Sequence, residues 1–396
     1  MKKKLLALAV CGLIQSANAA DSFLESITEG DANVMLRYRY EFVDQDGFNS
    51  NANASTLLTR LNYKTKAYNG FTFFLEADNI MEVIADSYNA GKGNSPGNGQ
   101  YPIVADPQGT EINQAWFNYA FNENSAVKVG RQRINFDNQR FIGGVGWRQN
   151  EQTFDAVSGT FDINGSKLVL VYVDNVNRIF GEDVAAGDND NSTVLLNWSN
   201  NFKDFGKLSA YYYDIDNKDV AAFSTSTFGV KFAGSYEAFN YGVEFASQND
   251  AYNNPVNYTA NYLRLDAAYK MEQATVFAGY EVLSGDANNA GAAFRTPLAT
   301  LHAFNGWADK FLATPNDGLE DMFVGVKGAY SGYKWQALYH DFNAEDSNRD
   351  LGSEFDFSVA KKVNKNVSLL LKAAFYSADT HATDTSKVWF MVTSKF

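Results

Sequence analysis

Cysteine is almost missing: Cys11 is the only one in 396 residues. That excludes a disulfide framework, a thiolate metal site and a dithiol redox pair. Prolines number six and histidines three, His302, His340 and His381, far apart in the chain. There is no HExxH motif and no Cys/His cluster, so a zinc enzyme has no footing and no metal or other cofactor is expected. Long apolar runs are missing too. The longest is Leu5–Ile14, well short of the ~20 residues that a membrane-spanning helix needs. No fixed-length repeat or low-complexity tract is visible, which argues against solenoids and propellers.

What is abundant is aromatic. The chain has 31 Phe, 22 Tyr and 6 Trp, with a mean hydropathy of −0.32. Many large rings within a polar average suit strands whose two faces meet different solvents, and they exclude disorder. Lys2–Lys4, the apolar Leu5–Ile14 and Ala17-Asn18-Ala19 follow the order of a secretory signal peptide cut after Ala19. The expected organisation is therefore a leader, 1–19, and a single domain, 20–396. Loss of the three leader lysines leaves 30 basic against 46 acidic residues, a formal −16. Nucleic acid is excluded as a partner on that balance.

From residue 32 the apolar residues alternate with period two. In 32–43, Val34, Leu36, Tyr38, Tyr40 and Phe42 share one parity, and Arg37, Arg39 and Glu41 take the other. Continuing this way gives eighteen strands, near 32–43, 55–67, 70–83, 110–121, 125–135, 153–163, 166–178, 190–201, 205–217, 223–236, 238–248, 257–271, 273–284, 320–331, 333–343, 350–363, 365–379 and 384–396. Links after even strands are tiny, as at Asn69-Gly70 and Asn164-Gly165, while 84–109, 136–152 and 285–319 are long. Alternating short turns and long loops describe an all-β, antiparallel transmembrane β-barrel with its short turns on the periplasmic side. The expected partners are outer-membrane lipid and lipopolysaccharide, and small hydrophilic solutes.

The polar parity carries Arg60, Lys64, Glu76, Asp78, Glu244, Arg264 and Asp266. Such groups face a watery lumen, because a dry core would impose large desolvation costs. A barrel of this width is too wide for side chains to fill. The apolar parity then faces lipid, with rings such as Tyr236 and Tyr330 at its ends. Phe396 closes a terminal strand of the kind recognised by the barrel assembly machinery.

The densest segment is 127–157, VKVGRQRINFDNQRFIGGVGWRQNEQTFDAV. It places Arg131, Arg133, Arg140 and Arg148 within eighteen residues. Guanidinium groups stay charged and grip carboxylates in bidentate fashion. Two readings stand: an inward loop forming a positive constriction, or a rim cluster that pairs with lumen acids and holds a loop to the wall. For loops 84–109 and 285–319 the alternatives of mobile surface and folding into the pore also stay open. The acidic stretches Glu182–Asp190 and Asp214–Asp219 read as solvated loops, not as calcium sites.

The GRQ, Arg140, Trp147 and Phe154-Asp155 pattern resembles the alginate-export family of bacterial outer-membrane proteins, whose founding member is similar in being an eighteen-stranded barrel. The resemblance implies a solute channel with a positive constriction, with Arg131, Arg140 and Arg148 in the lumen and Trp147 and Asp155 as their supports. This chain is short for such an exporter, and its expected lumen is mixed in sign. The reading that follows is passive diffusion of small saccharides or organic anions. A dedicated polysaccharide exporter is the alternative, and a barrel enzyme or adhesin is the rival from another class.

Overall fold

The structure is a computed structural model that describes residues 20–203 and 205–396; the expected leader lies outside the described residues. Eighteen antiparallel strands form one sheet. They are β1 (Asp31–Gln45), β2 (Ala52–Lys64), β3 (Phe71–Ser87), β4 (Gly109–Asn122), β5 (Ser125–Gln132), β6 (Thr153–Ile163), β7 (Ser166–Asn177), β8 (Asp188–Phe202) and β9 (Gly206–Ile215). The second half comprises β10 (Thr225–Tyr236), β11 (Phe239–Asp250), β12 (Thr259–Lys270), β13 (Ala274–Leu283), β14 (Leu319–Tyr330), β15 (Tyr333–Asn343), β16 (Asp350–Lys362), β17 (Val367–Ala378) and β18 (Thr385–Lys395). Each strand pairs with its sequence neighbours, and β1 pairs with both β2 and β18. Closure satisfies the backbone without leaving an edge, the condition for strands in a bilayer. At the seam Phe396 and Val34 exchange both backbone hydrogen bonds, at 2.9 and 3.1 Å.

All eighteen expected strands are present. The second is shifted, ending at Lys64 and not at residue 67, because 65–70 turns back on itself. The turns Asn69-Gly70 and Asn164-Gly165 have φ of 49° and 83°, and of 55° and 82°. Two successive left-handed residues match the twist of the flanking strands, and the Asn-Gly pair adopts them at little cost. The α-helix has no period-two signal: it is the short α1 (Phe23–Thr28), capped by Ser22 Oγ, which accepts from the Glu25 amide at 3.1 Å. It lies on the short-turn side, with the Lys66 amide donating to Ser26 O at 3.0 Å.

The two faces separate as alternation requires. Val34, Leu36, Leu61, Leu75, Phe117, Val129, Val157 and Leu371 are exposed on the outer face. An apolar exterior of this extent needs lipid as its solvent. Among the described residues no helix is long and apolar enough to cross a membrane; the strands do the crossing. The inner parity is not uniformly polar. Val171, Leu195, Tyr211, Tyr213 and Tyr262 point inward and are buried, because two long loops fold down into the lumen and cover them.

Candidate functional site

The loop between β5 and β6 (133–152) leaves the wall at Arg133 and crosses the lumen. Phe141 packs its ring 5.2 Å from those of Tyr211 and Tyr262 and 5.9 Å from Phe294. This aromatic burial draws the loop inward. The loop between β13 and β14 (284–318) meets it there. The Gly143 amide donates to Leu298 O at 2.9 Å, the Thr300 amide to Gln139 O at 3.0 Å, and Ile142 bridges Leu298. Together the loops form a strap over the mid-lumen.

Charge pairs fix the strap at both ends. Arg140, 2% exposed, donates from Nε to Glu281 of β13 at 2.6 Å and from Nη2 to Asn305 at 3.0 Å. Arg148 donates to Glu41 of β1 at 3.0 Å and to Asp309 of the second loop at 3.1 Å. From the wall, Arg37 reaches Gln149 Oε1 at 2.8 Å and Gly146 O at 3.0 Å. Arg39 pairs with Asp106 at 3.0 Å and lies 4.2 Å over the Trp147 ring. Arg60 holds Asp78 at 2.7 Å and Glu151 at 2.8 Å, and Arg133 pairs with Glu151 and Glu76. Glu76 also accepts from Asn113 and Gln114 at 2.9 and 3.0 Å.

The resting charges of the loop groups follow from these neighbours. Burial alone would raise the Asp106 carboxyl, but Arg39, Arg148 and the Gln149 amide outweigh it and hold it below its ordinary value. Glu151 is likewise lowered, by Arg60 and Arg133 against burial. Arg148 stays a cation: burial pulls it down, and Glu41, Asp106 and Asp309 lift it above its ordinary value. Asp106, Glu151 and Arg148 are thus each held in the charged form by the opposite charges around them.

A second cluster joins the loops to β17 and β18. His302 stacks on Trp147 at 4.6 Å with an interplanar angle of 5°, and Trp389 meets Trp147 edge-on at 5.7 Å. Lys372 Nζ lies 3.6 Å from the Trp307 ring centre and 2.7 Å from His302 Nε2. Burial pushes the His302 imidazole down to about 3, despite the pull of Asp309. Its neutral ring therefore accepts from the Lys372 ammonium at Nε2 and donates from Nδ1 to Asp309 at 2.7 Å. The Trp307 and Ala308 amides donate to Glu354 of β16. Gly306, at φ 82°, makes this close approach possible, because a Cβ there would sit 2.4 Å from Glu354 Oε2.

Of the residues singled out by sequence, Arg37, Arg39, Arg60, Arg133, Arg140, Arg148, Glu76 and Asp78 come together around the strap. Trp147 lies at its centre. Glu244, bonded to Tyr211 and Lys231 at 2.9 and 3.0 Å, and Arg264, bonded to Asp266 at 2.9 Å, lie on the β10–β12 wall. Lys64 is exposed in the lumen and has no ion pair among the described residues.

Arg131 is a correction. The register of β5 against β6 runs unbroken through Gly130, so Arg131 keeps the outward parity of Val127 and Val129, and Gln132 is the inward residue. Arg131 sits opposite Asp155, bound at 2.9 and 3.2 Å, and also meets Glu182 at 3.3 Å. Asp155 does support it, but on the outer face. Sequence reasoning placed Glu41 on the polar parity of the first strand without giving it a role, and it gave none to Glu281, Asp309, Glu354, His302 and Lys372. Lys372, a charge between Leu371 and Ala373, carried a local signal of the same kind. Among the described residues no three or more His, Cys, Asp or Glu side chains gather as a metal site requires.

A family model described as "Alginate export" matches residues 31–304. Among solved structures, the chain is similar to Pseudomonas aeruginosa OccK9 (OpdG), with TM-score 0.71 and 15% identity over 94% of this chain and 99% of that one. Acinetobacter baumannii OccAB2 gives 0.69 and 17%, and Pseudomonas aeruginosa OpdQ 0.69 and 16%, each over 94% and 99% of the two chains. At these identities the likeness is one of fold. No curated protein matches the chain.

Proposed function

The chain belongs to the alginate export family, and from that premise we propose that it is an outer-membrane channel for passive diffusion of small hydrophilic solutes, saccharides or organic anions. Residues 1–19 would direct its export, and the terminal strand ending at Phe396 its recognition by the assembly machinery. Lipopolysaccharide surrounds the long-loop rim in this reading.

The observation that carries it is the strap. Two loops knitted across a closed, water-lined barrel narrow the lumen without entering the wall, and a narrowed aqueous path sorts solutes by size and charge. The strap favours small solutes over a passing polymer, because a polysaccharide chain would have to displace the bond set between 139–145 and 298–300. In this reading the selectivity lies away from Arg140 and Arg148. Both guanidiniums are spent on Glu281, Glu41 and Asp309, so their part is to hold the strap.

Single-channel recording in a planar bilayer is the test. Steady ohmic steps, with liposome swelling by monosaccharides and small organic acids but not by oligouronates, are expected. Swelling by long oligouronates at comparable rates would favour the exporter. A silent barrel with hydrolytic or adhesive activity would favour the rival class.

A further inference from the structure

The short-turn end carries an apolar stripe that the barrel does not cover. In α1, Phe23, Leu24 and Ile27 fall within about 100° of helical arc at 3.6 residues per turn. Among the described residues Phe23 is 66% and Leu24 70% exposed, and Ile27 is open as well. A helix this short is marginal in water by itself, yet α1 is fixed at both ends. At its start the Glu25 carboxylate accepts from the Asp21 amide at 2.8 Å, the reciprocal of the Ser22 cap. At its end Lys66 pairs with Glu29, and the Tyr63 hydroxyl donates to Ile27 O. The Ala20 amide adds a bond to Ala67 O at 2.9 Å. Single apolar residues on a surface are ordinary, but a contiguous stripe fixed in the open by this many bonds needs an occupant.

The stripe continues the lipid-facing wall. Tyr63 has the outer parity of Leu61, so its bond to Ile27 brings the helix to the outside of β2. Phe23 meets Tyr68 edge-on, with ring centres 6.4 Å apart. Tyr68 and Phe71 exchange backbone bonds at 2.9 Å. Phe71, on the outer face, packs 4.6 Å from Tyr119, which meets Phe121 at 5.1 Å. Rings at the ends of outward strand faces sit at headgroup level, and α1 joins them on the periplasmic side. The charges around the stripe select among lipids. Asp21, Glu25, Glu29 and Asp31 place four carboxylates there against the one ammonium of Lys66. Such a surface is repelled by anionic headgroups and accepted by zwitterionic ones.

We propose that α1 is an interfacial anchor for zwitterionic phospholipid of the inner leaflet. Phe23, Leu24 and Ile27 immerse at the boundary of headgroups and acyl chains, and the acidic side stays in water. The anchor holds the start of β1 at a fixed depth, next to the seam where Val34 meets Phe396. It rests on the lipid-facing exterior and is independent of what the channel conducts.

Spin-label accessibility in nanodiscs is the test. Cys11→Ser removes the single native thiol, and Leu24→Cys, Ile27→Cys, Leu371→Cys and Lys365→Cys each then carry one nitroxide. The barrel is isolated from the outer membrane and placed, one per disc, in phosphatidylcholine. Lys365 is exposed in the turn between β16 and β17 and serves as the water reference; Leu371 serves as the lipid reference. Labels at the Leu24 and Ile27 sites should show an oxygen-to-nickel-chelate collision ratio roughly fivefold or more above the water reference. In phosphatidylglycerol discs the ratio at the Leu24 site should fall by roughly twofold. Ratios at both sites equal to the water reference overturn the anchor. Protection that arises only with two barrels per disc also overturns it, and assigns the stripe to a second copy. Equal ratios in the two lipids overturn the zwitterionic assignment. Only variants that keep heat-modifiable gel mobility are read, and the second label site keeps the result decisive if the first misfolds.

Discussion

The mid-lumen strap and the short-turn half of the lumen carry the same kind of side chain to opposite effect. Around the strap, arginines are numerous, buried and matched to acids: Arg140 to Glu281, Arg148 to Glu41 and Asp309, Arg60 to Asp78. Toward the short turns the cations are lysines, and Lys64 and Lys327 are exposed and have no ion pair among the described residues. The difference teaches that density of one charge in a sequence is not a field in the pore. A paired, buried arginine is a fastener, whereas an unpaired, wetted lysine is what a passing ion feels.

The largest expected effect tests the fastener. Arg140→Ala leaves buried Glu281 with the more distant Arg264, at 3.5 Å, as its counter-charge, and breaking a buried pair costs roughly 3–5 kcal/mol. Lys64→Ala, by contrast, should change stability by less than about 0.5 kcal/mol. Urea unfolding in lipid vesicles measures both, and similar losses would erase the contrast.

Next comes the wall that both regions share. Leu371, 44% exposed on the outer face of β17, replaced by Arg should cost roughly 2–4 kcal/mol if it lies near mid-bilayer. Ser368→Arg, on the inner parity of the same strand, should be tolerated. The same unfolding assay decides, and equal costs would reverse the face assignment.

Acid should weaken the strap before it touches the short-turn half. His302 titrates near 3 in the fold and near 6.5 when free, so the released form binds a proton that the folded form does not. Strap stability is full above about pH 6.5 and falls as pH drops toward 3. Each pH unit is worth at most about 1.4 kcal/mol. Asp309, held well below its ordinary range by His302, Lys387 and Arg148 against burial, acts in the same direction at still lower pH. Tryptophan emission should shift to the red on acidification as Trp147 and Trp307 meet water, and His302→Gln should flatten that response. A parent spectrum unchanged from pH 7 to 4 would argue against it.

The smallest effect concerns selectivity. Lys64→Ala with Lys327→Ala should lower the anion-to-cation permeability ratio modestly at constant conductance. Arg140→Ala with Arg148→Ala should instead alter conductance, through a loosened strap. Reversal potentials in a salt gradient distinguish the two, and an unchanged ratio in the lysine variant would return selectivity to the arginines around the strap.

The sequence by itself determined the barrel. Alternation at every second residue, as in Val34–Phe42 against Arg37–Glu41, dictates strands with one wet face and one fatty face, and Asn-Gly turns set where they reverse. Period two is a local property, so eighteen strands and their connections were legible. Arg131 shows the limit of parity: a residue beside a glycine is assigned to a face only once the register through Gly130 is known. Tertiary structure alone decided where the long loops go and whom the arginines meet. The partners of Arg140 and Arg148 lie 107–161 positions away, at Glu281, Glu41 and Asp309. Pairing energy depends on distance and burial in three dimensions, and no short-range pattern records either. Of the two readings open for this segment, a positive constriction or a cluster that holds a loop by pairing with lumen acids, the second is the one supported by the carboxylates that the folded loops bring to within 3.1 Å of Arg140 and Arg148.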